Sequence, residues 1–287
     1  MRLFHLLLIL LTSLSLPAQT SFTRIGEEAA ANLAAAKGTF VIIDFYATWC
    51  GPCKVMDERV WAQDTVQSLQ TRFVNRRIDA TNTNTELAQY GIKAIPALII
   101  EDANGNEYFR RVGYMTEAEI ITLLNQFPPG GMEGPYAADF VAKEQPDAFN
   151  SHFLRARHYQ AAARSADGRI AARLAKISTD GLEDAREILA KNENTPASLT
   201  ERLDLMEAEN LLLGGRAKKA LKLVAGMENG LDPRNAAHAC YVKGMAYRKT
   251  GKPELAKECY DQLQEAKDNE EFLAMYAKAD REAGEKQ

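Results

Sequence analysis

The sequence predicts an α/β domain, a mixed sheet flanked by helices, followed by an all-α domain of helical hairpins. Three observations carry this. An apolar, β-branched run, "TFVIIDFYA" (Thr39–Ala47), lies between an alanine-rich stretch and a helix-opening proline. Helix and strand patterns then alternate as far as Phe127, as in a sheet covered by helices. Beyond Pro128–Pro135 the composition turns to Ala, Leu, Lys, Arg and Glu, and strand-like alternation stops. The 287 residues favour two domains over one.

The first segment, "MRLFHLLLILLTSLSLPAQTSF", has Arg2 before a dense apolar core at Leu6–Leu11 and small residues after it. This is the form of a secretory signal over residues 1–18, cut after Ala18. The rival reading is an uncleaved membrane tether, but Leu3–Leu16 is about 14 residues and a span needs ~20. Export, with the bacterial periplasm as the expected compartment, puts the cysteines where disulfides persist.

Residues 19–127 then read as the α/β domain. "EEAAANLAAAK" (Glu27–Lys37) predicts a helix ended by Gly38, and Thr39–Ala47 a central buried strand interrupted by Asp44. Cys50-Gly51-Pro52-Cys53 opens a helix, with Pro52 suited to the first turn. That helix is expected to break at Trp61–Asp64, with Asp64 capping the next piece. "FVNRRIDA" (Phe73–Ala80) predicts a strand, Thr85–Gly91 a short helix and Ile95–Asp102 another strand. An Asn-Gly turn gives an antiparallel hairpin, and Thr116 with Glu119 forms a capping box on Thr116–Phe127. The order predicts a mainly parallel sheet with one antiparallel edge.

Residues 128–135, "PPGGMEGP", read as a linker, and 136–287 as the helical domain. A repeat of about 35 residues places Gly215 on Gly251, Ala220 on Ala256 and Val224 on Tyr260, with Ala185 one period earlier. Each unit is a helix, a glycine turn and a second helix. Gly244, Tyr247, Ala256 and Tyr260 give the last unit a resemblance to a tetratricopeptide repeat; Cys240 and Lys243 depart from that pattern, and the upstream unit fits loosely. The rival is a stack of hairpins without repeat ancestry.

Composition narrows the function. With 46% hydrophobic and 26% charged residues the chain can build a core, and a net charge of −4 gives no reason to expect nucleic acid. C-x-x-C has several readings. Zinc needs four ligands, and no second C-x-x-C is present. No His follows Cys53, which excludes c-type haem attachment. Gly-Pro between the cysteines, after a buried strand, favours a redox turn over a purely structural disulfide, with no cofactor or metal required. A thiolate attacks a disulfide, and a helix N-terminus is expected to stabilise Cys50 as an anion, moving its pKa toward about 7. Cys50 is therefore the expected exposed nucleophile, and Cys53, one turn in, the shielded resolving thiol.

"DFYATWCGPCK", "IKAIPALII" and "RRVGY" resemble the thioredoxin family in order and spacing, and "CKVMDERVWAQDTVQSL" is more similar to its exported members, such as the C-terminal domain of the membrane interchange protein DsbD. The resemblance implies a thioredoxin fold and a protein-disulfide reductase, with Asp44 as proton acceptor for Cys53 and a cis bond before Pro96. It would leave the Ile95 backbone to pair with an extended client, a form of strand addition. Asp44 on an exposed face is the bland alternative. Trp49 reads as a rim aromatic or a core residue, Trp61 as core, and Lys54 as a solvated charge or a tuner of the dithiol. Gly51 and Pro52 complete the client-facing surface, and Gly113 allows close backbone approach. Implied partners are protein disulfide clients, a membrane-embedded electron donor, and a protein held by the helical domain. An oxidase or isomerase, and a scaffold whose first domain mainly binds, are the competing functions. Cys240 and Cys259 read as packed thiols or as a disulfide between paired helices. His152, His158 and His238 read as solvated or partly buried, without catalytic partners.

Overall fold

The computed structural model describes residues 22–81, 84–191, 194–227 and 230–284. The expected signal segment and its cut site lie outside the described residues.

Helix α1 (Glu27–Lys37) has two glutamates in its first turn and Lys37 in its last, complementing the helix dipole. Gly38 ends it in the left-handed conformation, φ 58°, with its N–H on the carbonyls of Ala34 and Ala35. Strand β1 (Val41–Tyr46) follows and is buried at every position. Then come α2 (Gly51–Met56), a π-helical turn at Asp57–Trp61, α3 (Asp64–Gln70), β2 (Val74–Asp79), α4 (Asn84–Gln89), β3 (Ala97–Glu101), β4 (Glu107–Val112) and α5 (Glu117–Leu124). Thr116 and Glu119 form the capping box on α5. Asp64 does not cap α3: it is the first helical residue, after Gln63, which makes no side-chain cap bond.

The sheet order is β2-β1-β3-β4. Among these four strands β1–β2 is the parallel pair; β1–β3 and β3–β4 are antiparallel. The expectation of a mainly parallel sheet with one antiparallel edge is therefore wrong. A parallel β3 would need the chain carried back along β1, roughly 20 Å; the one helix of the connection, the six-residue α4, advances only about 9 Å, and the chain re-enters the sheet at the same end. Strand β3 starts at the end where β2 stops, with Ala97 opposite Phe45 and Ile78 opposite the same residue.

Side chains alternate across the sheet. Val41, Ile43 and Phe45 pack with Ala30, Ala34 and Ile99 on one face. Phe40 and Ile42 pack with Met56, Trp61, Val66 and Leu124 on the other. Asp44 shares the parity of Ile42, so it belongs to the face that α2 and the π-helical turn cover.

The remainder is helical: α6 (Glu133–Glu144), α7 (Phe149–Arg164), α8 (Gly168–Leu189), α9 (Ala197–Leu213), α10 (Ala217–Ala225), α11 (Ala236–Lys249), α12 (Pro253–Glu265) and α13 (Glu270–Gly284), with a 3-10 turn at Pro233–Asn235. Helices pair as α7/α8, α9/α10 and α11/α12. Gly215 and Gly251 occupy equivalent turns with φ of 75° and 72°, and Ala220 and Ala256 are both buried behind them. The earlier period fails. Ala185 lies deep inside α8, far from that hairpin's turn at Gly168, φ 54°.

The Pro/Gly segment is held against the α/β domain. Met132 N–H donates to the Gly38 carbonyl at 2.6 Å. The Tyr136 hydroxyl donates to the Thr39 carbonyl at 2.7 Å and accepts from Ala103 N–H at 3.0 Å. The core on the Phe40 face continues into Tyr159, Ala163, Ile170 and Leu174 of α7 and α8. The helices thus attach at the start of β1, and the C-x-x-C segment follows its other end.

Candidate functional site

Strand β1 ends at Tyr46, and the chain turns through Ala47–Trp49 into α2 with Cys50 as N-cap. Cys50 and Cys53 form a disulfide with Cα atoms 5.3 Å apart. Cys53 N–H points at Cys50 Sγ, 3.2 Å away. This is a first-turn donor with no carbonyl partner within the helix, and it is aimed at the Cys50 sulfur. Pro52 has no N–H to lose in that turn.

Cys50 is not exposed as expected. It is 4% accessible, close to the 2% of Cys53. The disulfide draws its sulfur inward, and Tyr46, Ala47, Ala80 and Ile95 pack about the pair. Gly51, Pro52 and Lys54 are exposed beside it. Trp49 is 68% exposed, which removes the core reading; Trp61 is buried and packs edge-on against Phe22.

Ile95–Pro96 is a cis peptide. Pro96 carbonyl accepts from Gly113 N–H at 2.8 Å, joining the start of β3 to the end of β4. Gly113 has φ 102° and open space where a side chain would project. Val112 and Tyr114 beside it are partly exposed.

Asp44 is 2% exposed, which removes the exposed-face alternative. Parallel pairing puts Arg77 of β2 directly opposite it. Arg77 Nε lies 2.9 Å from Asp44 Oδ2, a charge contact without hydrogen-bond alignment. The same guanidinium also bonds Asp57, from the π-helical turn, and sits 3.9 Å from the centre of the Tyr46 ring. Burial pushes the Asp44 carboxyl up from 3.8 to about 7; Arg77 opposes the rise and Asp57 adds to it. A buried carboxyl titrating there can take up a proton near neutrality.

Arg77 and Asp57 escaped the sequence reading. A carboxylate within an apolar strand signals a missing cation, and "NRRID" holds two candidates. Which arginine faces Asp44 depends on strand register, which the local sequence leaves open. Arg76 goes elsewhere, to Glu86 and Tyr90.

A family model described as a thioredoxin-like domain matches residues 27–128. The thioredoxin of Mycoplasma genitalium is 38% identical over 87 residues, which cover 30% of this chain and 79% of that protein. The chain belongs to the thioredoxin family. A second model, for a tetratricopeptide repeat, matches residues 237–270, the α11/α12 hairpin. Among larger thioredoxin-like relatives, the thiol:disulfide interchange protein DsbD of Yersinia pestis is 31% identical over 102 residues, 33% of this chain and 17% of that protein. The chloroplastic thioredoxin-like protein HCF164 of Arabidopsis thaliana is 29% identical over 111 residues, 39% and 41% of the two chains. The chain spans less than half the length of both. The oxidised DsbD C-terminal domain of Neisseria meningitidis aligns at 27% identity and TM-score 0.31, covering 34% of this chain and 90% of that one.

Among the other candidates, Cys240 and Cys259 are thiols, not a disulfide. His238 is buried, not solvated. Its Nε2 lies 2.8 Å from Glu209 Oε2, and Glu209 Oε1 lies 2.6 Å from Arg164 Nε. Burial favours the neutral acid, but Arg164 and His238 outweigh it and hold Glu209 at about 2. No described helix is long and apolar enough to cross a membrane.

Proposed function

We propose that the protein is an exported thiol:disulfide oxidoreductase that reduces protein disulfides. The observation that carries this reading is Asp44, a buried carboxyl titrating at about 7 on the strand that leads into Cys50–Cys53. Such a group suits a dithiol that must lose a proton during turnover.

In the reduced protein, Cys50 thiolate attacks one sulfur of a client disulfide. The client's S–S bond breaks, a Cys50–client mixed disulfide forms, and one client thiolate leaves. Asp44 takes the Cys53 proton. Cys53 thiolate then attacks Cys50 Sγ, closes the internal disulfide and releases the second client thiolate. Two electrons pass from the dithiol to the client. Trp49, Gly51 and Pro52 form the client-facing surface, Ile95 and Pro96 present backbone to an extended client strand, and the open space at Gly113 admits it.

The Gly-Pro dipeptide supports the reducing direction, by likeness to thioredoxin at about −270 mV. A reductase in an oxidising compartment needs electrons from elsewhere, hence a membrane-embedded donor. The helical half, packed at the far end of β1 from the dithiol, serves as a second attachment for a protein partner.

The test is the reduction potential of Cys50–Cys53 in the full chain. The expected value lies near that of thioredoxin; one above about −180 mV, as in disulfide isomerase, would overturn the reductase reading. Cys53→Ala is expected to trap clients as mixed disulfides on Cys50.

A further inference from the structure

The segment before α1 lies along the outer edge of β2. Thr23 bridges Arg76 in parallel. Its N–H donates to the Asn75 carbonyl at 2.9 Å, and its carbonyl accepts from Arg77 N–H at 2.8 Å. Alternation along the strands then puts Phe22 and Arg24 on the same sheet face as Arg77. Asp44 shares that face, because it sits directly opposite Arg77 in the β1–β2 pair. The Arg77 guanidinium lies 5.6 Å from the centre of the Phe22 ring and 3.9 Å from that of Tyr46. Trp61 braces Phe22, with ring centres 5.0 Å apart, and Arg24 bonds the Tyr46 hydroxyl.

Charge alone does not account for where Arg77 sits. A guanidinium free to turn toward a buried carboxylate pairs with it through aligned, often paired, N–H···O bonds. Arg77 meets Asp44 at 2.9 Å without that alignment and bonds Asp57 instead. Aromatic faces attract a guanidinium, and here two of them fix its plane. The other elements around Asp44 offer no second cation to balance it. Asp57 on the π-helical turn is a like charge, and Leu98 opposite on β3 carries none. On α2, Cys53 is bonded to Cys50, and Lys54 is exposed. Farther out, Asp79 interacts with Arg24 and Arg77.

From this arrangement we infer that Phe22 is a positioning residue of the site: with Tyr46 it holds the Arg77 guanidinium out of line with Asp44 and shields the pair from water. The segment Phe22–Arg24 is then a cover whose seating on β2 controls the proton affinity of Asp44. Lifting it acts twice in one direction. Water reaches the carboxyl, which favours its charged form, and Arg77 becomes free to align with it, which favours the same form. The cover therefore keeps Asp44 protonated to a higher pH. This rests on the reading of Asp44 as the proton acceptor for the dithiol and names what regulates it.

The test is the titration midpoint of Asp44 in the oxidised full chain, read by carbon-13 NMR of labelled aspartate, with Asp44→Asn to assign the signal. Phe22→Ala should lower the midpoint by about one unit, a tenfold loss of proton affinity. Should that variant fail to fold, Thr23→Pro serves instead. It keeps the Phe22 ring but removes the N–H that seats the segment on β2, at an exposed edge position, and should move the midpoint the same way. Phe22 acts largely through Arg77, so in an Arg77→Gln background Phe22→Ala should shift the midpoint by no more than about half as much. A midpoint that stays or rises in both single variants, or a shift undiminished without Arg77, would overturn the proposal. The titration needs neither client nor turnover. Insulin reduction, measured separately, tests the redox reading, so the two can fail independently.

Discussion

Asp44 and Arg77 face each other across the parallel β1–β2 pair, carboxylate oxygen 2.9 Å from guanidinium nitrogen, with both side chains largely shielded from water. Yet the carboxyl titrates at about 7, because burial outweighs the cation. Arg77 divides its charge between Asp44 and Asp57, and Asp57 itself disfavours a second negative charge nearby. The pair thus holds a carboxyl poised to change charge near neutral pH, on the strand that leads into the dithiol.

Client reduction should rise with pH through about 7 as Asp44 becomes able to accept the Cys53 proton. Asp44→Asn should remove that limb and slow turnover roughly a hundredfold. A pH–rate profile of insulin reduction checks this; an unchanged profile in the variant would exclude Asp44 as the acceptor.

Arg77→Gln removes the main group that holds the Asp44 carboxyl down. The acid limb should therefore move to higher pH, by about one unit. Carbon-13 NMR of labelled aspartate reads the shift directly, and a midpoint that stays or falls would contradict the electrostatic account.

The same carboxyl limits stability. Its folded pKa is raised, so between 3.8 and about 7 the folded protein keeps a proton that the unfolded chain has lost. Stability contributed by the neutral acid is complete below the lower value and is lost as pH rises through the window. Asp44→Asn should thus be more stable than wild type at pH 8, on the order of 2–4 kcal/mol, with the difference gone at pH 3. Urea unfolding at the two pH values measures it.

Glu209 behaves in the opposite sense. Its pKa is held at about 2, so its stabilisation is present above 4.5 and is lost as pH falls toward 2. Glu209→Ala strands Arg164 and the buried His238 without their shared carboxylate. A loss of about 3–5 kcal/mol is expected at pH 7. Thermal unfolding of the full chain checks it, and a change below ~1 kcal/mol would show that the triad is not a stabilising element.

The two halves should unfold together. A Cβ at Gly131 would lie 2.5 Å from the Gly38 carbonyl oxygen, and its φ of 72° already disfavours other residues. Gly131→Ala should cost on the order of 2–3 kcal/mol. It should separate a single calorimetric transition into two, because the core on the Phe40 face runs across the joint. A single transition at an unchanged temperature would mean that the joint is weak.

Features set by neighbouring residues were legible in the sequence. Ala-rich Glu27–Lys37 with Gly38 behind it, the continuous apolar run of β1, Pro52 in the first turn of α2 and the Thr116–Glu119 capping box each follow from contacts a few residues long. Those local rules placed Cys50 at a helix N-terminus, and the same reading put Asp44 six residues upstream. What required the tertiary structure were relations between residues distant in sequence. The direction of β3 depended on how far α4 could carry the chain. The partner of Asp44 depended on a register one residue either way, which would have replaced Arg77 with Arg76 or Ile78. Burial of Cys50 depended on Ile95 and Ala80 coming to it from other segments. Buried His238 needed Glu209 and Arg164 from two other helices. Chain-local chemistry determined which groups could react, and only packing across the fold decided which charges meet and how much water reaches them.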